Sequence, residues 1–479
     1  MKTMFETSTP GRRGVWPDAP DSDTGSFLPE SLLRNTQPSL AELSELDVIR
    51  HFTRLSRLNY SVDGNMYPLG SCTMKYNPRF MEEIAALPGF ARLHPLVPQI
   101  RGAGKMTQGA LHVIYHLERL LCEITGMAGY TLQPMAGAHG ELTGVMLMAA
   151  YHRDKGNHKT RIIVPDSAHG TNPASATIAG FEVVSIASKD GIIDPKALEA
   201  VMDEQVAGIM MTCPNTLGLF ERELPAIVAL TRKYDALLYY DGANFNAIMG
   251  KLKPGDAGFD LVHLNLHKTF ATPHGGGGPG SGPVGVSRRL LEYLPVSRVV
   301  RLEDGQYFLD YEYPKSIGYI APFYGNFGVF LKAYAYILRL GRQGIIDAAE
   351  NAVLAANYVR KRLEGHVEIP YNRICMHEFV SSVVQQAKKG VRAVDIAKAL
   401  LDKGHYAPTI YFPLIVQECL MIEPTETESK ETLDGFVDDL IEIVERAEND
   451  GDSLHEAPVS TPVRRLDEVK AARGMVLKA

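Results

Sequence analysis

The sequence predicts an α/β fold: a large domain built on a mostly parallel sheet, followed by a smaller α+β C-terminal domain. Between residues 130 and 266, apolar runs of strand length alternate with segments of helical spacing, which is typical of a parallel sheet with helices on both faces. Beyond residue 326 the helical segments lengthen and the strands shorten. The chain has 479 residues, 45% of them hydrophobic, which is enough for more than one domain and a large core.

The helix predicted over 107–126 is the clearest single element. Leu111, Ile114 and Leu117 recur on one face, and Gly126 is the expected stop. The strands of the large domain are predicted at 130–132, 161–164, 181–186, 206–212, 236–240, 261–266 and around 284–286. The helices between them are predicted at 140–151, 173–180, 195–203 and 224–234. In the small domain we predict helices at 327–340, 345–363, 394–403 and 428–446, and strands at 378–384 and 410–413.

These elements suggest a division into four parts: an N-terminal arm and helix (1–66), a large domain (67–326), a small domain (327–450) and a tail (451–479). The arm contains a helix predicted over 40–58. Both the arm and the tail contain several prolines and little apolar periodicity. Segments of this kind rarely pack on their own domain, so we expect them to contact other chains.

The composition excludes several classes of protein. The net charge is -7 without a cluster of Lys and Arg, so no nucleic acid partner is expected. No run of about 18 apolar residues is present, so no membrane-spanning helix is expected. The N-terminus lacks the apolar stretch of a secretory signal. The five cysteines are scattered and form neither a disulfide framework nor a metal site. A cytoplasmic enzyme or enzyme subunit is the expectation.

Ligands of a parallel sheet bind outside the carboxyl ends of its strands, and the first two such ends carry suggestive residues. After residue 132 the small residues Ala136, Gly137 and Ala138 open a helix, where backbone N–H groups and the helix dipole favour a phosphate. A tight turn that needs glycine is the alternative. After residue 164 comes His169, which could stack on an aromatic ring or be a purely structural histidine.

The next two strand ends carry an amide and an acid. Asn215 lies in the loop TCPNT after residue 211, where it offers an amide donor. Asp241 closes the apolar run ALLYYD and is followed by Ala243 and Asn244. An acid in that place is costly to bury without a cationic partner. The alternative is that Asp241 caps the next helix.

The last strand of the series leads to Lys268, next to His267 and ahead of the Gly-rich segment 275–282. A lysine at the end of a buried strand is well placed to form a Schiff base with an aldehyde cofactor. The alternative is an ordinary lysine. The Gly-rich segment is either an opening for a long substrate arm or a flexible connection between two strands. It is not a dinucleotide fingerprint, because no helix follows it at the required place.

Together the strand ends offer a phosphate nest, a stacking ring, a carboxylate and an amine, which are the four things that pyridoxal 5'-phosphate needs. We therefore predict a pyridoxal-phosphate enzyme of the aspartate aminotransferase type (fold type I). The predicted catalytic residues are Lys268, His169 and Asp241. The predicted cofactor-binding residues are Ala136, Gly137, Ala138, His169, Asn215, Asp241, Ala243, Asn244, His267 and Lys268.

The chain also resembles a known family over residues of about 60–430. The matching segments are YPLGSCTMKYNP (67–78), QPMAGAHGE (133–141), DSAHGTNPASA (166–176), CPNTLGLFE (213–221), YYDGANFNAI (239–248), HLNLHKTFATPHGGGGPGSGPVGV (263–286) and EPTETES (423–429). They are similar to the glycine decarboxylase P-proteins of the glycine cleavage system, in the lysine-bearing subunit 2 of the split bacterial form. One-chain members usually have a polar residue and Gln where this chain has Met135 and His139.

The resemblance implies an activity and its partners. Glycine would be the substrate, carbon dioxide would be released, and the aminomethyl group would pass to the lipoyl arm of the H-protein. A separate subunit 1 would complete an α2β2 assembly. Lys268 would hold the cofactor, Asp241 would keep the pyridine nitrogen protonated, and His169 would fix the plane of the ring. His267 would reach the phosphate.

Two other functions remain open at this point. One is a different fold type I enzyme, such as an amino-acid decarboxylase or a cysteine desulfurase, for which Cys72, Cys213 and Cys375 are candidates without a supporting motif. The other is a non-catalytic scaffold, which would have no use for Lys268 and Asp241. A further pair, His377 and Glu378, begins a predicted strand and either faces the cleft or lies on the surface.

Overall fold

The computed structural model describes residues 2–15, 28–36, 38–100, 103–168, 171–276 and 278–476. The chain divides into two compact units, one of Met1–Ser61 with Thr461–Val463 and one of Val62–Ser460 with Arg464–Ala479. The first unit contains the helices α1 (Met4–Thr7) and α2 (Glu45–Ser56). Helix α2 is shorter than its predicted range because Ser44 caps it, accepting a hydrogen bond from the N–H of Asp47 at 3.2 Å.

The second unit is built on a seven-stranded sheet with the strand order β1-β9-β8-β7-β6-β2-β3. Only β9 runs opposite to its neighbours, since the β1–β9 and β8–β9 pairs are antiparallel and the other pairs are parallel. The strands are β1 (Gly129–Thr131), β2 (Arg161–Pro165), β3 (Glu182–Ile186), β6 (Val206–Thr212), β7 (Leu237–Gly242), β8 (Leu261–Leu264) and β9 (Val284–Val286). The prediction of a mostly parallel sheet is confirmed.

Helices and short ladders surround this sheet. The α-helices are α3 (Phe80–Ala85), α4 (Pro88–Ala91), α5 (Gln108–Thr125), α6 (Gly137–Asp154), α7 (Thr171–Ile178), α8 (Pro195–Val201), α9 (Leu224–Lys233) and α10 (Leu266–Thr269). Further 3-10 turns of this unit cover Val97–Gln99, Ala103–Thr107, Phe245–Ala247, Arg288–Tyr293 and Pro322–Tyr324, and a 3-10 turn of the first unit covers Glu30–Leu32. Two-stranded ladders pair β4 (Ser188–Lys189) with β5 (Ile192–Ile193), and β10 (Arg298–Arg301) with β11 (Tyr307–Asp310). Helix α5 ends at Gly126 in the left-handed conformation, as predicted.

The core lies on both faces of the sheet because successive residues of a strand point to opposite sides. In β7, Leu238 and Tyr240 belong to one buried apolar cluster, while Leu237 and Tyr239 belong to another. Both β6 and β7 are buried along their whole length. A strand buried on both faces reads as a continuous apolar run, which is why a polar side chain at its end is conspicuous.

The C-terminal part forms a three-stranded antiparallel sheet, β12-β14-β13, covered by helices. Its strands are β12 (Phe379–Ser382), β13 (Thr409–Ile410) and β14 (Cys419–Ile422), and its helices are α11 (Phe327–Leu363), α12 (Val384–Ala387), α13 (Ala393–Asp402), α14 (Lys430–Asn449), α15 (Gly451–His455) and α16 (Glu468–Arg473). Helix α11 breaks at Gly341, where φ is 61°, between the two helices that the sequence predicts. Among the described residues, no helix has the length and apolar character needed to span a bilayer.

Two predicted boundaries at the carboxyl edge of the sheet are wrong. Strand β8 ends at Leu264 rather than at residue 266, and Lys268 lies in the single helical turn α10 that follows. The carbonyl of Asn265 nucleates this turn by accepting hydrogen bonds from the N–H groups of Lys268 and Thr269, at 3.0 and 3.1 Å. Strand β7 continues through Asp241, so the acid is part of the strand and not of the loop after it.

Candidate active site

The predicted phosphate nest is the N-terminus of helix α6. Ala136 is its N-cap and has no side chain that can bond to the first-turn N–H groups, which are therefore available to an anion. Gly137 is required at the first helical position, because an added Cβ would lie 2.5 Å from Oδ1 of Asn265. His139, one of the two departures from the family pattern, accepts a hydrogen bond from the N–H of Met135 through Nδ1 at 3.2 Å. It therefore stabilises the turn that enters the helix.

The end of the Gly-rich segment packs directly on this turn. The N–H of Gly282 donates to the carbonyl of Pro134 at 2.9 Å, and a Cβ on Gly282 would lie 2.1 Å from the carbonyl oxygen of Ala136. Gly280 is held by Asn326, whose Nδ2 donates to its carbonyl at 3.2 Å. Glycine is needed at residue 282 because two backbone segments touch there. The two interpretations of segment 275–282, an opening for a long substrate arm and a flexible connection, stay predictions.

Asp241 is buried and its orientation is fixed by three donors. Its Oδ2 accepts hydrogen bonds from Nδ2 of Asn172 and Oγ1 of Thr212, at 3.2 and 3.3 Å, and its Oδ1 accepts from the N–H of Ala243 at 3.0 Å. The helical turn that follows begins after Asn244, which occupies its N-cap position. Asp241 is thus not the N-cap of that turn, and its carboxylate is held at the end of β7.

Two titratable groups beside Asp241 were missed from the sequence. Nε2 of His263 lies 3.4 Å from Oδ1 of Asp241, and Nδ1 of the same ring shares a hydrogen bond with the hydroxyl of Tyr239 at 2.7 Å. Glu141, on helix α6, accepts a hydrogen bond from Oγ1 of Thr171 at 2.8 Å. Burial, followed by repulsion from Asp241, raises the pKa of Glu141 to about 7. The sequence feature that could have indicated them is a His and a Glu inside runs of otherwise apolar or small residues.

The raised pKa of Glu141 predicts a pH-dependent stability. Between its ordinary pKa of 4.5 and about 7, the folded chain keeps a proton that the unfolded chain has lost, so this group makes the free energy of unfolding fall as pH rises. Glu141→Gln should reduce that slope by up to one proton, or about 1.4 kcal/mol per pH unit. Urea unfolding at pH 5, 6, 7 and 8 measures both slopes. Equal slopes in the two proteins would contradict the assignment.

Lys268 lies at the adjacent strand end and is held by a loop from earlier in the chain. Its Nζ donates to the carbonyl of Ser71 at 2.6 Å. The segment 67–78, which we call the strap, also fastens the backbone around the lysine. Nζ of Lys75 donates to the carbonyl of Thr269 at 2.9 Å, and Nδ2 of Asn77 donates to the carbonyl of Ala271 at 2.8 Å. From the sequence, the strap was matched to a known family, but no role was assigned to it.

Buried polar atoms without protein partners surround the lysine turn. They include Nδ1 of His267, Nε2 of His274, Oγ1 of Thr272 and Oγ of Ser281. Burial is the main cause that lowers the pKa of His267 to about 3 and that of His274 to about 4, so both rings are neutral at neutral pH. Buried polar groups are normally hydrogen-bonded, and this set therefore points to a polar ligand.

His377 and Glu378 are completely buried, so a surface position, one of the two expectations for them, is wrong. Glu423 is buried beside them, and one ligating atom from each of the three residues lies within 4.8 Å of the others. Cys72, on the strap, is a half-buried thiol whose pKa is raised to about 11, chiefly by removal from water. A thiol in that state is a poor nucleophile, which disfavours the desulfurase alternative.

Two other predicted cofactor ligands, Asn215 and Asn244, form hydrogen bonds within the protein. The side chain of Asn215 organises its loop: Nδ2 donates to the carbonyl of Gly191 at 2.7 Å, and Oδ1 accepts from the N–H of Leu217 at 3.0 Å. Nδ2 of Asn244 donates to Oε1 of Glu378 at 3.2 Å. Cofactor contacts by these two amides stay predictions. His169 lies outside the described residues.

Comparisons with known proteins place the chain in a family. Residues 348–459 match a family model described as glycine dehydrogenase, C-terminal domain. The chain is 55% identical over 480 residues to a protein of Caldanaerobacter subterraneus subsp. tengcongensis named "Probable glycine dehydrogenase (decarboxylating) subunit 2", with 99% of this chain and 98% of that protein covered.

Two solved structures share the fold. One is a crystal structure of glycine decarboxylase (P-protein) of the glycine cleavage system in inhibitor-bound form, with a TM-score of 0.72 at 19% identity over 87% of this chain and 94% of the other. The other is glutamate decarboxylase of Lactobacillus brevis, with a TM-score of 0.65 at 13% identity over 89% and 97% of the two chains. The prediction of fold type I is confirmed. By its whole-length identity, the chain belongs to the family of glycine dehydrogenase (decarboxylating) subunit 2.

Proposed function

We propose that this chain is the cofactor-bearing subunit of a glycine decarboxylase that transfers the aminomethyl group of glycine to the lipoyl arm of the H-protein. The observation that carries the proposal is the pairing of β7 with β8, which aligns Asp241 with His263 and brings the acid and Lys268 to neighbouring strand ends. Membership of the family adds glycine as the substrate, since the relatives are named glycine dehydrogenases (decarboxylating).

The residues present fit pyridoxal 5'-phosphate. When bound, this cofactor supplies an aldehyde that forms an imine with an amine, and a protonated ring that accepts electrons from a breaking bond. The start of helix α6 offers backbone N–H groups for the phosphate, from Ala136 to Ala138. Nδ1 of His267 and Oγ of Ser281, both buried without partners, are suitable donors or acceptors for the same group.

Each polar residue has a separate task in this proposal. Lys268 would hold the cofactor covalently as a Schiff base, and its amine would serve as the group that moves a proton. Asp241 holds the proton of the pyridine nitrogen, because a nearby carboxylate favours the charged form of its partner. The hydrogen bonds from Asn172 and Thr212 keep that carboxylate in place. His169 is assigned to stack on the ring and to fix its plane.

The division into an arm (1–66), a cofactor domain (67–326), a small domain (327–450) and a tail (451–479) is part of the proposal.

The proposal also includes a partner, a subunit 1 that completes an α2β2 assembly. Its support is the designation "subunit 2" in the relatives and the apolar face of helix α2, on which Leu46, Ile49 and Phe52 are exposed. A helix with an exposed apolar stripe is suited to pack against another chain.

We expect the chain alone to exchange bicarbonate into glycine poorly, and addition of subunit 1 to restore exchange and form an α2β2 complex, because active sites of this fold commonly lie at a subunit boundary. Deleting residues 1–35 should weaken this association more than it lowers the melting temperature of the isolated chain. Glycine–bicarbonate exchange and light scattering, both carried out on the truncated chain, provide the test. Full activity of the chain by itself, without a change of mass on mixing, would point to a self-sufficient decarboxylase.

A further inference from the structure

A pair of glutamates beneath the strap has no role in the function proposed so far. Glu378 immediately precedes β12 and Glu423 immediately follows β14. Because Phe379 pairs with Ile422 in the antiparallel register, the two acids are brought side by side across the sheet. Both are completely buried. Burying two carboxyl groups next to each other is unfavourable unless donors or a proton compensate.

The strap supplies matching donors to the two acids. Ser71 donates its N–H to Oε2 of Glu378 at 2.6 Å and its hydroxyl to Oε1 at 2.9 Å. Thr73 donates its N–H to Oε2 of Glu423 at 2.9 Å and its hydroxyl to Oε1 at 2.6 Å. Both strap residues adopt positive φ, 57° and 49°, a strained conformation for residues with a Cβ. The hydrogen bonds to the acids hold the strap in this conformation.

Two buried amides donate further hydrogen bonds to the two carboxyl groups. Nδ2 of Asn244 donates to Glu378 at 3.2 Å, and Nδ2 of Asn246 donates to Glu423 at 3.3 Å. Among the residues described, no lysine or arginine forms a salt bridge with either acid. Within the described part of the chain, the two carboxyl groups are therefore stabilised by hydrogen bonds and not by a directly paired cation.

The histidine between the acids does not supply the missing charge. Nε2 of His377 lies 3.6 Å from Oε1 of Glu378 and 3.8 Å from Oε1 of Glu423, and neither ring nitrogen has a hydrogen-bond partner. Burial lowers the pKa of His377 to about 3, so the ring is neutral. Burial, together with repulsion by Glu423, raises the pKa of Glu378 well above its ordinary value, and burial also raises the pKa of Glu423.

We propose that Glu378 and Glu423 share a single proton and act as a positioning pair for Lys268. The connection runs through Ser71, which donates to Glu378 and whose carbonyl accepts from Nζ of Lys268 at 2.6 Å. The pair thereby fixes the place of the amine and keeps one negative charge, not two, beside it. The titratable groups that face the pair are Lys268, Cys72 and His377. This inference rests on the proposed function only in taking Lys268 as the cofactor lysine.

Infrared spectroscopy of the full-length chain without cofactor tests the shared proton directly. At pH 8.5 Glu141 is mostly ionised. The carbonyl band of a buried protonated carboxyl, shifted by exchange into D2O, is assigned to the pair if it responds to substitution of either acid. We expect one such band in the wild type and its loss in both Glu378→Gln and Glu423→Gln, because the remaining acid ionises when it no longer faces a like charge. Glu141→Gln should retain the band and is the matched control.

Every other pattern overturns the proposal. A wild type without a band that responds to either substitution would mean that both acids are ionised. A band that survives in either variant would mean that burial of a single carboxyl, not the pair, holds the proton. A wild-type spectrum with no band at all shows that both acids are ionised, even where a variant fails to fold.

A second readout separates positioning from simple structural support. In the cofactor-loaded protein, the absorbance of the lysine imine changes with pH. Each single Gln variant should keep the midpoint of that change within about 0.3 pH unit of wild type, since one charge remains, while the double variant should lower it by about one unit or more. Equal shifts in the single variants that add in the double variant would contradict the shared proton. A chain that binds no pyridoxal phosphate would fail the proposed function but leave the infrared result intact.

Discussion

Replacing Lys268 with alanine should remove both the covalent attachment of the cofactor and turnover. Lys268 is the amine at the strand end next to Asp241, and its Nζ is presented by the carbonyl of Ser71. Without it no imine with the protein can form, and the proton transfers assigned to the freed amine have no carrier. We expect the imine absorbance to be absent and glycine–bicarbonate exchange, measured with subunit 1 present, to fall by at least about a thousandfold, roughly 4 kcal/mol.

Lys155→Ala is a suitable control for this experiment, because Lys155 is an exposed lysine at the end of helix α6. It should bind cofactor and exchange bicarbonate as the wild type does. If Lys268→Ala retained more than a few per cent of the exchange rate, another amine would have to carry the cofactor, and the assignment of the site would be wrong.

Replacing Asp241 with asparagine should leave cofactor binding in place and remove most of the rate. The amide keeps the shape of the side chain, and its oxygen can still accept the hydrogen bond from Ala243. It lacks the charge that holds a proton on the pyridine nitrogen, so the ring accepts electrons less readily. We expect exchange to fall by about a hundredfold or more, roughly 3 kcal/mol.

Thr212→Val is the matched control for the charge of Asp241. It removes one of the hydrogen bonds to Oδ2 but leaves the carboxylate, so the loss of rate should be much smaller than in Asp241→Asn. If Asp241→Asn remained within about threefold of the wild-type rate, roughly 0.7 kcal/mol, the acid would serve only to orient its own turn.

Much of the large domain follows from periodicity in the sequence. Strand β6 is found at its predicted residues. Helix α5 is one residue shorter than predicted at each end, and helix α9 is one residue shorter at its C-terminal end. These elements are buried on one stripe or along their whole length, so their apolar pattern is complete. The strand before Lys268 was predicted to extend to residue 266, two residues too far, because Leu264 and Leu266 continue the apolar alternation. What ends the strand is the helical hydrogen bonding to the carbonyl of Asn265. Those backbone bonds cannot be recognised from the pattern of apolar residues.

The parts of the site that sequence reasoning missed depend on contacts between distant segments. Glu378 gave no sign of its burial, because a single acid at the start of a strand is as common on a surface as in a cleft. Its environment is created by Ser71 and by the register of β12 with β14, which places Glu423 beside it. Glu141 and His263 were missed from the sequence for the same reason. Each is informative only because it lies close to Asp241, which belongs to another element.

The central claim is that Lys268 carries the cofactor, and peptide mapping after borohydride reduction tests it most directly. The wild-type chain, loaded with pyridoxal 5'-phosphate and reduced, should lose its imine absorbance and yield a pyridoxyl-modified peptide that contains residues 266–270. The same treatment of Lys268→Ala should give no modified peptide. A pyridoxyl group found on any other lysine of the wild-type chain would contradict the account.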